Sequence, residues 1–132
     1  MIAVDTTVWI DFFAAKATPE AEELERQIRE GDDVCTCGLI LAEVLQGIRE
    51  DKTYRRIRSR FEDLVFLPMG RDDFIKAADI YRSLRRKGIT IRKPIDCMIA
   101  AVCIAHDVPL LHNDRDFLPM EKHCGLKTIK AR

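Results

Sequence analysis

The sequence predicts a three-layer α/β/α domain whose central parallel sheet has four to five strands. Three observations carry that prediction. Short apolar runs of strand length recur at residues 2–4, 34–36, 65–67 and 110–112, and between them lie stretches with the apolar spacing of amphipathic helices. Alternation of this kind is the pattern of right-handed crossovers, which join parallel strands and lay helices on both faces of the sheet. Lastly, acidic residues stand where the first and fourth hydrophobic strands end and where a later helix begins. In open α/β sheets that is the edge where ligands bind.

Ile2 to Val4 is a short buried strand, and Asp5 falls where it stops and the helical pattern of Val8, Trp9, Phe12 and Phe13 begins. These aromatics suit a core or an interface, with core the assignment for at least one phenylalanine. Thr18-Pro19 opens a second helix with a hydroxyl N-cap and a proline at the first helical position; it stops near Gly31. Val34 to Thr36 is the second strand. From Gly38 to Ile48 a stripe of Leu41, Val44, Leu45 and Ile48 marks a helix, with Glu43 beside it. Asp51 to Asp63 is an arginine-rich helix with Tyr54, Ile57, Phe61 and Leu64 on its apolar side.

Val65 to Leu67 is the third strand, closed by Pro68. Asp72 to Lys87 is the longest helix, with Phe74, Ala77, Ala78, Tyr81 and Leu84 inward and Gly88 ending it. Residues 90–93 link it to Pro94, which suits the first turn of a helix running to His106 on Met98, Ile99, Val102 and Ala105. Leu110 to His112 is the fourth strand, Asn113 to Phe117 a loop, and Thr128 to Lys130 a weak fifth strand.

The 132 residues make one domain, large enough to bury a core without disulfides or a structural metal. The five cysteines are odd in number and include no Cys-x-x-Cys, so buried free thiols are expected. No apolar run approaches the roughly 20 residues of a membrane span. Met1 leads straight into a strand, with no signal-peptide pattern, so the cytoplasm is the expected compartment. Twenty-two basic and 22 acidic residues cancel, so total charge neither requires nor excludes a nucleic-acid partner.

Four acids stand out: Asp5 after the first strand, Glu43 in the third helix, Asp96 in the first turn after Pro94, and Asp114 after the fourth strand; Asp116 is a fifth candidate. Each also has a structural reading, as an N-cap, an Asx-turn or a carboxylate favoured by the helix dipole. Glu43 is the hardest to explain that way, because a half-buried carboxylate beside an apolar stripe needs a partner. If the first and fourth strands are neighbours, Asp5 and Asp114 lie side by side and Asp96 reaches the same edge. Carboxylates so close raise one another's pKa, and a divalent cation removes the conflict. Oxygen-only ligands select a hard ion, Mg²⁺ or Mn²⁺, and such a site suits metal-assisted phosphodiester hydrolysis.

Val4-Asp5-Thr6-Thr7-Val8-Trp9-Ile10-Asp11, Ala42-Glu43-Val44-Leu45-Gln46-Gly47, Ile95-Asp96-Cys97-Met98-Ile99-Ala100-Ala101 and Leu110-Leu111-His112-Asn113-Asp114-Arg115-Asp116-Phe117 together resemble the PIN-domain family, and within it the VapC-like toxins of toxin–antitoxin pairs. The resemblance spans essentially the whole chain and implies a Mg²⁺-dependent ribonuclease whose acid quartet is Asp5, Glu43, Asp96 and Asp114. Asp5, Asp96 and Asp114 would coordinate metal, Asp116 matching an acid of variable role. Glu43 would orient or deprotonate water or hold a second ion, and Thr6 or Thr7 would fix a carboxylate. His112 departs from the family, whose members often carry a small hydroxyl residue there; it suits a substrate contact or a packed strand position.

An acidic pocket repels RNA, so compensating cations are expected around it. Arg92 and Lys93 are the foremost, being next to Asp96; Arg55, Arg56, Arg58 and Arg60, with Arg85, Arg86 and Lys87, equally suit solvated helix surfaces. The resemblance further implies a small VapB-like antitoxin whose tail blocks the site, and a homodimer. The rivals are a DNA-directed flap- or 5′-type nuclease, for which no threading module is present, and a non-catalytic interaction module. A phosphoacceptor domain needs an aspartate closing the third strand, where the sequence has Val65-Phe66-Leu67-Pro68.

Overall fold

Five strands, β1 (Ile2–Val4), β2 (Val34–Cys37), β3 (Val65–Leu67), β4 (Leu110–Leu111) and β5 (Thr128–Ile129), form one all-parallel sheet in the computed structural model, which describes residues 1–131. Their order is β3-β2-β1-β4-β5. The expected neighbours therefore do pair: Ala3 lies against Leu110 and Val4 against Leu111. From β1 the chain steps outward through β2 to β3, then returns across the sheet to β4. The gap between β1 and β4 is thus the topological switch point, with crevices opening at the carboxyl ends of those two strands.

The helices are α1 (Thr6–Phe13), α2 (Pro19–Arg29), α3 (Gly38–Gln46), α4 (Asp51–Glu62), α5 (Arg71–Arg86), α6 (Pro94–Ala105) and α7 (Leu118–Cys124). Right-handed crossovers to β2 and β3 put α1 to α4 on one face, and the return to β4 and on to β5 puts α5 to α7 on the other. Within each layer α1 packs on α2 and α3, α3 on α4, and α5 on both α6 and α7, while α3 also meets α6 between the layers. The central strands are covered on both faces, which is why β1 and β4 are apolar without alternation.

Local signals act as the sequence predicts at several ends. The Thr18 hydroxyl accepts the Ala21 N–H at 3.0 Å, capping α2. Gly88, after α5, takes a φ of +80°, open to glycine without strain. The core joins Val4, Val8, Leu24, Ile57, Ile99, Leu110, Leu111 and Phe117. Trp9 is buried, with Phe13 stacked on it at 5.5 Å and Phe61 at 4.8 Å, while Phe12 and Phe13 are each half-buried. Four of the five thiols are buried and free, and Cys124 is half-buried.

Three expectations are corrected. The inward face of α5 is Ala77, Ile80 and Leu84; Phe74 and Ala78 point to solvent. Ala77 and Leu84 are inward as expected and Tyr81 packs on the core, whereas Ile80 replaces Phe74 and Ala78, which line an open groove beside Pro94 and Met98 of α6. β4 ends at Leu111, so His112 is the first residue beyond the strand. Residues 115–117 are a 3₁₀ turn and run directly into α7, a helix that the periodicity did not disclose. Seven residues are too few for a periodic signal, although Pro119 near its start and Gly125 at φ +81° past its end are ordinary helix punctuation. Among the described residues no helix is long and apolar enough to cross a membrane.

Candidate active site

Asp5 is delivered by β1. Its backbone N–H donates to the Leu111 carbonyl at 3.0 Å, so the ends of the two central strands are tied together at the point where Asp5 and the 112–114 loop emerge. It stands at the N-cap position of α1, yet its side chain makes no capping hydrogen bond. The carboxylate is buried, 5% exposed. Burial pushes its pKa up to about 6; the Thr6 N–H opposes this, the charges of Glu43 and Asp114 add to it, and Lys93 counters them.

Asp96 comes from the other face of the sheet. Pro94 starts α6, and Asp96 occupies its first turn, 4% exposed. Its Oδ2 is buried and accepts no hydrogen bond. Burial raises its pKa to about 7, with Lys93 opposing and Asp5, Asp114 and Asp116 reinforcing.

Asp114 and Asp116 arrive on the turn after β4. Asp114 Oδ1 accepts the Asp116 N–H at 2.9 Å, which starts the 3₁₀ turn and holds both acids in one orientation. The Asx-turn reading of Asp114 is therefore correct, and it leaves the other oxygen of the carboxylate facing the pocket cations. Burial opposes ionisation of Asp114, but the Asp116 N–H, Lys93 and Arg92 together hold its pKa below the usual carboxylate range.

Oxygens of Asp96, Asp114 and Asp116 all lie within 4.8 Å of one another. An octahedral ion with ligands at about 2.1 Å needs oxygens roughly 3–4 Å apart, a difference that small side-chain rotations close. The donor set is all oxygen, and Asp96 offers a buried oxygen with no hydrogen bond, so this group could hold a hard divalent cation. Asp5 lies outside that trio but is electrostatically linked to Asp96 and Asp114.

Glu43, half-buried on α3, receives the Thr6 hydroxyl at 2.8 Å. Of the two candidate threonines it is Thr6 that meets a carboxylate; Thr7 is exposed. Lys93 Nζ lies 3.3 Å from Asp114 Oδ2 and 3.9 Å from Asp96 Oδ2, and Arg92 lies 3.1 Å from Asp116 Oδ2. Burial disfavours the Lys93 ammonium, but Asp96 and Asp114 outweigh it and raise its pKa. The arginines of α4, and Arg86 and Lys87 at the end of α5, are exposed, and Arg85 lies over the Tyr81 ring at 5.7 Å.

His112 Nδ1 accepts the Asp114 N–H at 3.2 Å, and the ring packs on Phe117 with centroids 4.9 Å apart. Burial lowers its pKa, against the pull of Glu121 and Asp114. The imidazole thus braces the turn that carries two of the acids. Two neighbours escaped the sequence analysis: Asn113 Nδ2 donates to Asp11 Oδ2 at 3.5 Å across the rim. Both residues lie inside the quoted motifs, so their adjacency to the acids was the available signal.

The PIN domain family model matches residues 2–122. The chain is 36% identical over 134 residues to the VapC ribonuclease Mb1587 of Mycobacterium bovis and to Ribonuclease VapC11 of Mycobacterium tuberculosis, covering 100% of each chain in both cases. Among solved structures it is similar to VapBC2 from Rickettsia felis bound to a DNA fragment from their promoter, with a TM-score of 0.76, 16% identity and 98% of both chains covered. It is also similar to a toxin–antitoxin complex from Klebsiella pneumoniae, with a TM-score of 0.75, 16% identity and 100% and 98% covered. At such identities the structures speak for the fold, whereas the family model and the full-length relatives speak for descent. The chain belongs to the PIN-domain family, among its VapC ribonucleases.

Proposed function

We propose that this chain is a Mg²⁺-dependent endoribonuclease, with Mn²⁺ as a substitute ion, acting as the toxin of a toxin–antitoxin pair. The observation that carries the metal site is Asp96 Oδ2, a buried carboxylate oxygen without a hydrogen bond, set beside Asp114 and Asp116. A bound divalent ion supplies charge stabilisation to a phosphate and acidity to water. Asp96, Asp114 and Asp116, with Asp5 behind them, are the residues that would hold it. Glu43, oriented by Thr6, takes a proton from the attacking water. Arg92 and Lys93 at the rim draw the phosphate backbone toward an otherwise acidic crevice, and His112 keeps the Asp114 turn in place.

The partner proposed is a small VapB-like antitoxin, supported by full-length relatives named as VapC ribonucleases and by solved neighbours described as VapBC and toxin–antitoxin complexes. The same proposal makes the chain a single cytoplasmic domain that pairs as a homodimer; exposed Phe74, Ile75 and Leu118 supply apolar surface for pairing.

The test is cleavage of total cellular RNA by the purified protein in Mg²⁺, Mn²⁺ and chelator, beside Asp96→Ala. Discrete, metal-dependent fragments lost in the variant are expected. Folded, metal-binding protein that cuts nothing would leave a non-catalytic interaction module as the better description.

A further inference from the structure

Two cations of the chain itself meet these acids, Arg92 at Asp116 and Lys93 at Asp96 and Asp114. Lys93 directs its ammonium between Asp114 Oδ2, at 3.3 Å, and Asp96 Oδ2, at 3.9 Å. The second of these oxygens is the buried one with no hydrogen bond, so the lysine supplies charge compensation there without satisfying it as an acceptor. The two sides of the contact differ in freedom. The carboxylates are 5% and 19% exposed, whereas the Lys93 side chain is 53% exposed on a flexible four-carbon stem. Its backbone is fixed, because Lys93 is the N-cap residue of α6 and its carbonyl accepts the Asp96 N–H at 2.9 Å. The head group can swing away while its anchor cannot.

An ion taken up by Asp96 and Asp114 would claim the same oxygens that the ammonium faces. Like charges at contact distance in a partly buried pocket repel strongly, and the mobile, solvated one gives way. The displaced ammonium remains tethered beside the crevice, where the next anion to arrive is a backbone phosphate.

We propose that Lys93 is an exchangeable counter-ion: it neutralises the acid pocket of the metal-free protein, yields the Asp96 and Asp114 oxygens to an entering divalent cation, and then serves as a phosphate contact at the rim. This rests on the acids being a metal site. It makes Lys93 a competitor of the metal and an ally of the RNA, so its removal moves two affinities in opposite directions. A lysine with a purely structural role would not do that.

The experiment compares wild type, Lys93→Met, which keeps the stem and removes the charge, and Arg29→Gln, which removes an exposed charge from α2, where it pairs with Glu25. Mn²⁺ binding is read by the spin-resonance signal of the free ion, and RNA binding by fluorescence anisotropy of a labelled oligonucleotide in Ca²⁺. Lys93→Met should bind Mn²⁺ several-fold more tightly and RNA several-fold more weakly than wild type, with Arg29→Gln unchanged in Mn²⁺ affinity. Mn²⁺ affinity that is unchanged or weaker in Lys93→Met, or equal tightening in Arg29→Gln, overturns the exchange. Wild type that binds no Mn²⁺ overturns the metal site and the exchange together. Mn²⁺ binding without RNA cleavage would count against the nuclease alone.

Discussion

Thr6 donates its hydroxyl to Glu43 Oε1 at 2.8 Å, joining the first turn of α1 to α3 across 37 residues of sequence. A half-buried glutamate beside an apolar stripe thereby acquires both a partner and a fixed orientation. Outer hydrogen bonds of this kind are typically worth 10–100-fold in activity. Thr6→Val should lower kcat by about that factor while leaving the thermal midpoint within a few degrees, and Thr6→Ser, which keeps the hydroxyl, should restore most of the loss. Thr7→Val, at an exposed position, is the matching control. Equal kcat in Thr6→Val and wild type would remove the bond from the mechanism.

Stability of the metal-free protein should depend on pH through the buried acids. Asp5 and Asp96 titrate at about 6 and about 7 in the folded state, against 3.8 for the ordinary carboxyl. Between roughly pH 4 and pH 7 the native state therefore holds protons that the unfolded chain has released, so stability falls as pH rises through that window and levels off above it. Asp114 works in the opposite sense: its lowered pKa contributes stability above the ordinary value that is lost on further acidification. Asp96→Asn should be more stable than wild type at pH 8 in chelator, by on the order of 2 kcal/mol, and little different near pH 4.5. Urea unfolding at the two pH values measures this; a variant less stable at pH 8 would mean that the Asp96 charge is better compensated than its surroundings suggest.

Arg92 is 76% exposed and pairs with Asp116 at 3.1 Å, a surface contact worth little to folding. Its value lies in the potential at the rim. Arg92→Glu should weaken binding of unrelated RNA oligonucleotides alike and reduce the slope of log affinity against log salt by about 1. An unchanged slope, measured by titration at several salt concentrations, would exclude Arg92 from phosphate contact.

Phe117 is fully buried, follows Asp116 directly and supports the His112 ring. Phe117→Ala should cost about 3–5 kcal/mol, whereas Phe117→Leu should cost much less because it leaves a smaller void. If the ring also positions the turn, Phe117→Leu will bind Mn²⁺ more weakly while remaining folded. Calorimetric unfolding and Mn²⁺ titration separate the two effects.

What the sequence determined by itself was local and periodic. The alternation of short apolar runs with helical stripes required a parallel sheet between helix layers, and the N-cap at Thr18 and the glycine stop at Gly88 act as their side-chain chemistry dictates. Asp5 and Asp114 stood out because charges at the ends of buried strands are costly to place there without use, and Glu43 because it sits beside an apolar helix stripe. The weak final strand was legible too, as a paired β5. Elements shorter than two helical turns were not, since α7 carries too few residues for a period; on α5 the edge of the buried face was blurred, because exposed Phe74 and Ala78 adjoin buried Ala77, Ile80 and Leu84 and all are apolar.

Only the tertiary structure decided which groups meet. The return of the chain from β3 to β4 sets Asp5 beside the turn bearing Asp114, chooses Thr6 over Thr7 as the partner of Glu43, and brings Lys93 between two carboxylates of different elements. Periodicity reports which face of an element is buried, but contact between side chains far apart in sequence depends on strand order and crossover hand, and these emerge only when all the elements pack against one sheet.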